Sequence, residues 1–237
     1  MRLPDSIAEV RLIRRYKRFL ADMEWPGGEI TTVHCPNTGS MAGCQAPGAR
    51  AWVSHSEKPG RKYAWTWELV EAEPDVLVGI HTGRTNGLVA EAVEAGGLPG
   101  LEQARLIRKE YRPPGADSRF DMQLEDDAGV EVLVEVKNVT AAFDGGLGYF
   151  PDAVSVRAKK HVRELARLAG PDCRVVLCFC VQREDVHTVQ PATHIDPGYA
   201  EALAEAMDQG LEVIALGCSV SPAQIRVRQK LEFSLNP

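Results

Sequence analysis

The segment at 119–140, RFDMQLEDDAGVEVLVEVKNVT, decides the fold. Side chains alternate across a strand. In its first half Phe120, Met122 and Leu124 therefore share one face, and Arg119, Asp121 and Gln123 the other. In its second half Val132, Val134 and Val136 share an apolar face, while Glu135 and Lys137 lie together on the opposite one, flanked by Leu133 and Val139. The DDAG between the runs is a turn signal, so the segment reads as a β-hairpin. A turn centred on Ala128 sets Asp121 opposite Glu135 and pairs the two apolar faces.

Charges in so apolar a strand are costly unless they are paired, bound to a metal or put to use. A local Glu135–Lys137 ion pair on a solvated face is the plain reading. The neighbouring strand adds a second one. Like charges directly opposite on a sheet repel, so two ionised carboxylates at Asp121 and Glu135 call for a cation between them. Mg²⁺ is commonly held by one or two carboxylates while it keeps several waters and phosphate oxygens. Lys137 stands one pleat along, where an ammonium can stabilise charge on a phosphate oxygen. The set suits metal-assisted phosphodiester hydrolysis.

The surroundings supply helices and buried strands in a definite order. TNGLVAEAVEAGG carries Leu88, Ala92 and Val93 at helical spacing and stops at Gly96-Gly97. A short alternating strand, ARLIRKEYR, precedes the hairpin. SVRAKKHVRELARLAG follows, with Ser155 as N-cap, an apolar stripe of Ala158, Val162, Leu165 and Ala169, and Gly170 as stop. CRVVLCFCV and LEVIAL are fully apolar strands, separated by a helix that begins Asp196-Pro197 and ends at Gly210. This pattern is a mixed α/β domain with helices packed on a central sheet. An Asp followed by Glu-x-Lys on the next strand, in this setting, resembles the PD-(D/E)XK nuclease superfamily.

Before about residue 85 the composition changes to short strands and turns, the pattern of a small barrel. A five-stranded OB-like barrel fits the length, and that fold often binds oligonucleotides. Arg11, Arg14, Arg15, Lys17 and Arg18 cluster in RLIRRYKRF, either as a solvated strand face or as a phosphate-contacting stripe. In YAWTW, Tyr63, Trp65 and Trp67 share a face, which serves a barrel core or a stacking platform. HCPNTGSM reads first as a plain barrel turn with Gly39 at positive φ, and second as a phosphate cradle of Asn37, Thr38, Ser40 and exposed amides.

The chain has a formal net charge of −6, which argues against an indiscriminate DNA coat and leaves room for a local acidic site. Six cysteines without a CxxC pair read as free thiols, several of them in or beside a buried strand. The amino end is dotted with charge and lacks an apolar signal region, so a cytoplasmic location is expected. Neither a helix-turn-helix nor a pair of carboxylates arranged as in glycosidases is evident.

Taken together, CPNTGSM, SRFD with VEVKNVT, FPDAVSVRAKKHVREL and CFCVQRED with PATHIDPGYAEAL resemble the bacterial and archaeal sugar fermentation stimulation proteins over nearly the whole chain. The resemblance implies a DNA-binding protein linked to regulation of sugar (maltose) metabolism. It also implies an OB-like barrel at 1–84 and a PD-(D/E)XK-like α/β domain at 85–237, with a central mixed sheet flanked by helices. The superfamily's acidic pair and lysine fall on Asp121, Glu135 and Lys137, with Mg²⁺ or Mn²⁺ as the implied cofactor. Glu91, or alternatively Glu110, corresponds to the early acid of such sites. Arg157 and His161, four apart, share a helix face. His161 is then a candidate at the phosphate, and Asp152 either lies near the site or only starts the helix. DNA is the expected partner, with a metal-dependent nuclease and a non-cutting DNA-binding regulator as the two functional readings.

Overall fold

The computed structural model describes residues 1–143 and 145–235. The first six strands are β1 (Ile7–Tyr16), β2 (Leu20–Glu24), β3 (Ile30–His34), β4 (Arg50–His55), β5 (Trp65–Glu73) and β6 (Val76–Gly79). They form one sheet in the order β3-β2-β1-β4-β5-β6, and a further β3–β5 pairing closes it. That closure is parallel, at His34↔Thr66, so strands β1 to β5 make the ring β1-β2-β3-β5-β4 of an OB-like barrel. Its interior is filled by Val10, Leu12, Met23, Val33, Trp67 and Val70.

Two details of the barrel differ from the sequence reading. The run through RRYKRFL is a tight hairpin, because Lys17 and Arg18 both take positive φ (50° and 64°) and turn the chain between β1 and β2. The aromatic trio is also divided. Trp67 is fully buried and donates its indole N–H to Leu69 O at 2.8 Å, while Trp65 is half-buried against Trp25 and His55.

A short 3-10 turn (Thr82–Arg84) leads into α1 (Thr85–Glu94). Next come β7 (Arg105–Tyr111), β8 (Phe120–Glu125), β9 (Glu131–Val139), β10 (Ala142–Phe143), β11 (Leu147–Phe150), α2 (Val156–Ala166) and β12 (Cys173–Val181). The chain ends with β13 (Thr188–Pro191), α3 (Pro197–Asp208), β14 (Leu211–Val220) and β15 (Ile225–Phe233). The second sheet is nine-stranded and mixed, ordered β10-β11-β13-β15-β14-β12-β9-β8-β7. β9 and β12 run parallel down its centre, and β7, β8 and β9 form an antiparallel meander at one side. This is a mixed α/β domain with a central sheet flanked by helices, as the sequence pattern predicts.

Local chemistry explains the elements that carry the site. Asp126 Oδ1 accepts the N–H groups of Ala128 and Val130 at 3.0 and 2.9 Å, and Gly129 supplies φ 80°, which closes the β8–β9 turn. The register is Met122↔Val134, Gln123↔Leu133 and Leu124↔Val132, and Asp121 lies just beyond the last rung, where its Oδ2 takes the N–H of Val136, next to Glu135 in the chain. Ser155 caps α2 by accepting Ala158 N–H at 3.1 Å, and Asp196 caps α3 through Tyr199 N–H at 3.1 Å.

Both faces of the sheet are covered. Val132, Val134 and Val136 pack with Leu88, Val89 and Val93 of α1, and the same core takes in Leu3, Trp52 and Leu69 from the barrel side. On the other face Leu133, Leu177 and Phe179 pack with Val162 and Leu165 of α2 and Tyr199 and Leu203 of α3. The six cysteines are free thiols, five of them buried. Among the described residues no helix is long and apolar enough to cross a membrane.

Candidate active site

Glu135 sits where β9 passes under α2 and is only 4% exposed. Its Oε1 accepts from Lys137 Nζ at 2.5 Å and lies 2.7 Å from His161 Nδ1. Burial alone raises the pKa of a carboxyl group. Here the His161 hydrogen bond and the Lys137 ammonium outweigh burial and hold Glu135 below its ordinary value, as an ionised acceptor. Facing such an acceptor, Nδ1 of His161 carries the proton. Glu135 Oε2 has no hydrogen-bond partner among the described residues.

Asp121, at the start of β8, is fixed from two sides. Oδ1 accepts from Asn86 Nδ2 and Oδ2 from the backbone N–H of Val136, each at 2.7 Å. Burial and then the charge of Glu135 push its pKa up to about 6, against the pull of the Val136 N–H, Lys137 and Asn86. Two neighbouring carboxylates, Glu135 buried and Asp121 half-buried, are thus held with one firmly ionised and the other reluctant, the electrostatic state of a site that wants a cation.

The donors fit a hard divalent ion. Both groups are oxygen ligands, Glu135 keeps one oxygen unengaged, and a Mg²⁺-class ion needs only one or two carboxylates beside waters and phosphate oxygens. Among the described residues no three His, Cys, Asp or Glu side chains gather as a ligand cluster, so the set stops at two carboxylates.

Neither candidate for an early acid is brought in. Glu91 lies on the outer side of α1, 51% exposed, and pairs with the amino terminus of Met1 at 2.6 Å. It lines a separate groove with Arg226 and Arg228. The α1 residue that reaches the site is Asn86, in the first turn, five positions earlier and on a different face of the helix. Glu110 is exposed, at φ 55°, and faces Arg119 at 3.6 Å on the outermost strand.

Above Lys137 opens a cleft of about 420 Å³, lined among others by Asn86, Asn138, Tyr149 and Arg157 and by Asn37, Thr38 and Gly39 of the barrel. The barrel loop 36–40 is therefore a wall of the site. Arg15 holds it, donating to the carbonyls of Asn37, Gly39 and Ser40 at 2.9, 2.8 and 3.4 Å, and to that of Arg18 at 2.8 Å. Asp152 clamps it from the other half, accepting from Ser40 Oγ at 3.2 Å and Met41 N–H at 3.3 Å. Gly39 is not at positive φ; Met41 is, at 53°. Glycine suits position 39 because a Cβ there would collide with Asp152 Oδ2 and force that carboxylate to move off Ser40 and Met41.

The basic stripe of the barrel resolves into separate roles. Arg14 pairs with Asp22 at 2.8 Å and covers the Tyr16 ring, and Arg15 is the loop brace. Lys17 and Arg18 are exposed on the β1–β2 turn. Asn37 is buried and turns inward, accepting Gly39 N–H at 2.9 Å, whereas Thr38 is exposed at the cleft. Arg157 is exposed at the rim, beside the buried His161 of the same helix.

Sequence reasoning missed Asn86 and the network around Asn138. Gln182, fully buried, donates to Asn138 Oδ1 at 2.7 Å and Thr85 Oγ1 at 3.1 Å. It ties the end of β9 to the start of α1. A second tie is the fork of Arg84 on Glu68, both contacts 2.7 Å, with Glu68 only 1% exposed and also accepting from Ser54 Oγ at 2.6 Å. The signal for Asn86 was its place one residue into the helix, where the early acid was sought further along.

Two family models match the chain in succession. The family model of the SfsA N-terminal OB domain matches residues 13–80, and that of the sugar fermentation stimulation protein RE domain matches residues 83–224. A sugar fermentation stimulation protein homolog of Halorhodospira halophila is 51% identical over 95% of both chains. The homolog of Thioalkalivibrio sulfidiphilus is 49% identical over 100% of this chain and 99% of its own. The solved structure of Pyrococcus furiosus SfsA in complex with Ca²⁺ superposes with a TM-score of 0.87, at 28% identity, covering 99% of this chain and 98% of that one. The chain belongs to the sugar fermentation stimulation protein family.

Proposed function

We propose that this protein is a metal-dependent phosphodiester hydrolase acting on nucleic acid, with DNA as the first substrate to test. The observation that carries the reading is the buried Glu135, bonded to both Lys137 and His161 and close enough to Asp121 to raise its pKa, beside a polar cleft at Lys137. A strand needs no such assembly for its stability, since a buried charge network only offsets its own desolvation.

Asp121 and Glu135 would hold Mg²⁺ or Mn²⁺. When bound, such an ion supplies Lewis-acid charge at the phosphate. Asn86 and the Val136 N–H aim Asp121, and His161 aims Glu135. Lys137 stabilises the negative charge that grows on a phosphate oxygen as the ester bond breaks. Arg157, at the rim, offers a guanidinium to a neighbouring phosphate. The Ca²⁺ in the Pyrococcus furiosus structure supports the choice of a hard, oxygen-seeking ion.

A second reading is a DNA-binding regulator that keeps the fold and does not cut. It is favoured by the lack of a third acidic ligand among the described residues. The two are separated by incubating labelled single-stranded, duplex and flapped DNA with Mn²⁺, Mg²⁺ or EDTA, using wild type and D121A/E135A. Metal-dependent cutting that vanishes in the variant supports the hydrolase. Salt-sensitive binding indifferent to metal and to the substitutions, with no cutting, supports the regulator.

A further inference from the structure

The cleft above Lys137 is small, polar and walled by both halves of the chain, and its shape bears on which form of nucleic acid can enter. We infer that it takes a single strand, one unstacked nucleotide at a time, and that barrel loop 36–40 is the wall that keeps a duplex out. This rests on the reading of the site as one for nucleic acid.

Size comes first. The cleft measures about 420 Å³, the scale of a small-ligand pocket. A duplex whose major groove alone is about 12 Å wide cannot sink into it. Enzymes that must reach into such a pocket extrude a nucleotide or begin from a single strand.

Chemistry comes second. A rail for duplex phosphates is built mainly from Lys and Arg. Apart from Lys137 and Arg157, the polar walls here are largely amides and hydroxyls: Thr38, Thr82, Asn86 and Asn138, with the Tyr149 phenol. Those groups suit the edge, sugar and face of an unstacked base.

Rigidity comes third, because a wall that swings aside would admit a duplex after all. Loop 36–40 is held on three sides. Arg15 grips the carbonyls of Asn37 and Gly39, Asp152 grips Ser40 and Met41, and Thr82 Oγ1 donates to Pro36 O at 2.9 Å. Opening it means breaking all three attachments together.

The test uses the full chain in EDTA, with a fluorescein-labelled DNA strand of about 12 residues, a length within the range single-strand sites cover, and a blunt hairpin duplex of the same sequence. Anisotropy should show the strand bound at least about tenfold tighter, the contribution of one stacked base. Equal or tighter binding of the duplex overturns the inference. Thr38→Trp, at an exposed position, narrows the cleft and should weaken strand binding by about tenfold or more, with thermal melting and Mn²⁺ calorimetry unchanged. Unchanged strand affinity in that variant also overturns it. A cleavage arm with Mn²⁺ separates the two claims. If nothing is cut but the strand preference holds, the hydrolase reading falls and the single-strand cleft stands. If the duplex is cut as fast as the strand, the cleft inference falls and the hydrolase reading stands.

Discussion

Gly39 and Asp152, 113 positions apart in the chain, approach so closely that one added carbon at Gly39 would stand 2.4 Å from the Asp152 carboxylate. The carboxylate cannot retreat freely, since it holds Ser40 Oγ and Met41 N–H. Gly39→Ala should therefore cost about 1–3 kcal/mol through overpacking and lost hydrogen bonds. In an Asp152→Ala background the same change should add less than about 0.5 kcal/mol, because the obstacle is gone. Urea unfolding of the four proteins in the cycle measures the coupling.

Asn86 orients Asp121 without bearing charge, so its removal should loosen the metal site and leave the fold intact. Asn86→Ala should lower Mn²⁺ affinity or cleavage by about 10- to 100-fold, the usual effect of losing a group that aims a ligand. Calorimetric titration beside a cleavage assay reads both. An effect below twofold would show that the Val136 N–H suffices to place Asp121.

Glu91 provides the contrast. Its carboxylate faces the Met1 ammonium on the solvent side of α1. Glu91→Gln should leave metal affinity and cleavage within about twofold and cost no more than about 1 kcal/mol, as for any exposed pair. A hundredfold loss of cleavage would return Glu91 to the site.

Glu164 gives the fold a dependence on pH that is separate from the site. Its buried carboxylate accepts from the N–H groups of Asp117 and Ser118 at 2.5 and 2.7 Å and from Ser118 Oγ. Burial opposes ionisation, but these hydrogen bonds prevail and hold the pKa below its ordinary value. A carboxyl lowered in the folded state stabilises above its unfolded pKa of about 4.3 and loses that contribution as pH falls through the folded value. Glu164→Gln should cost about 1–3 kcal/mol at pH 7. The difference from wild type should shrink as pH drops below about 4, as followed by urea unfolding across pH.

Much of this arrangement is legible in the chain because period-two alternation and a turn signal constrain a hairpin strongly. Met122 and Leu124 facing one way, DDAG, and the valines facing back leave little choice of register, and the observed ladder follows it. Phe120, expected on the same face, instead packs in the opposite core with Leu133, because the paired ladder begins only at Met122. Caps at Ser155 and Asp196 were visible for the same reason: short polar side chains before an apolar stripe have one obvious use. What escaped depends on distant partners. Arg15 reads as a free cation in the sequence because three of the four carbonyls it grips lie 22 to 25 residues on, and nothing nearby in the chain reveals them. The β1–β2 hairpin turns on Lys17 and Arg18 rather than on Asn-Gly, so it carries no turn signature. β15 is harder to read: in IRVRQKLEF Ile225 and Val227 face the core under α1, whereas Leu231 and Phe233, past an irregularity in the ladder, face the core under α2 and α3, so no single period marks the strand.

One core takes in Leu3, Trp52 and Leu69 from the barrel side together with α1 and the valine face of β9. Barrel and α/β half are therefore parts of one cooperative body rather than beads on a string. On heating they should come apart in one calorimetric event, with van't Hoff and calorimetric enthalpies equal. Evolution acting on such a chain can retune either half but cannot trade one away, because each half supplies part of the other's dry interior.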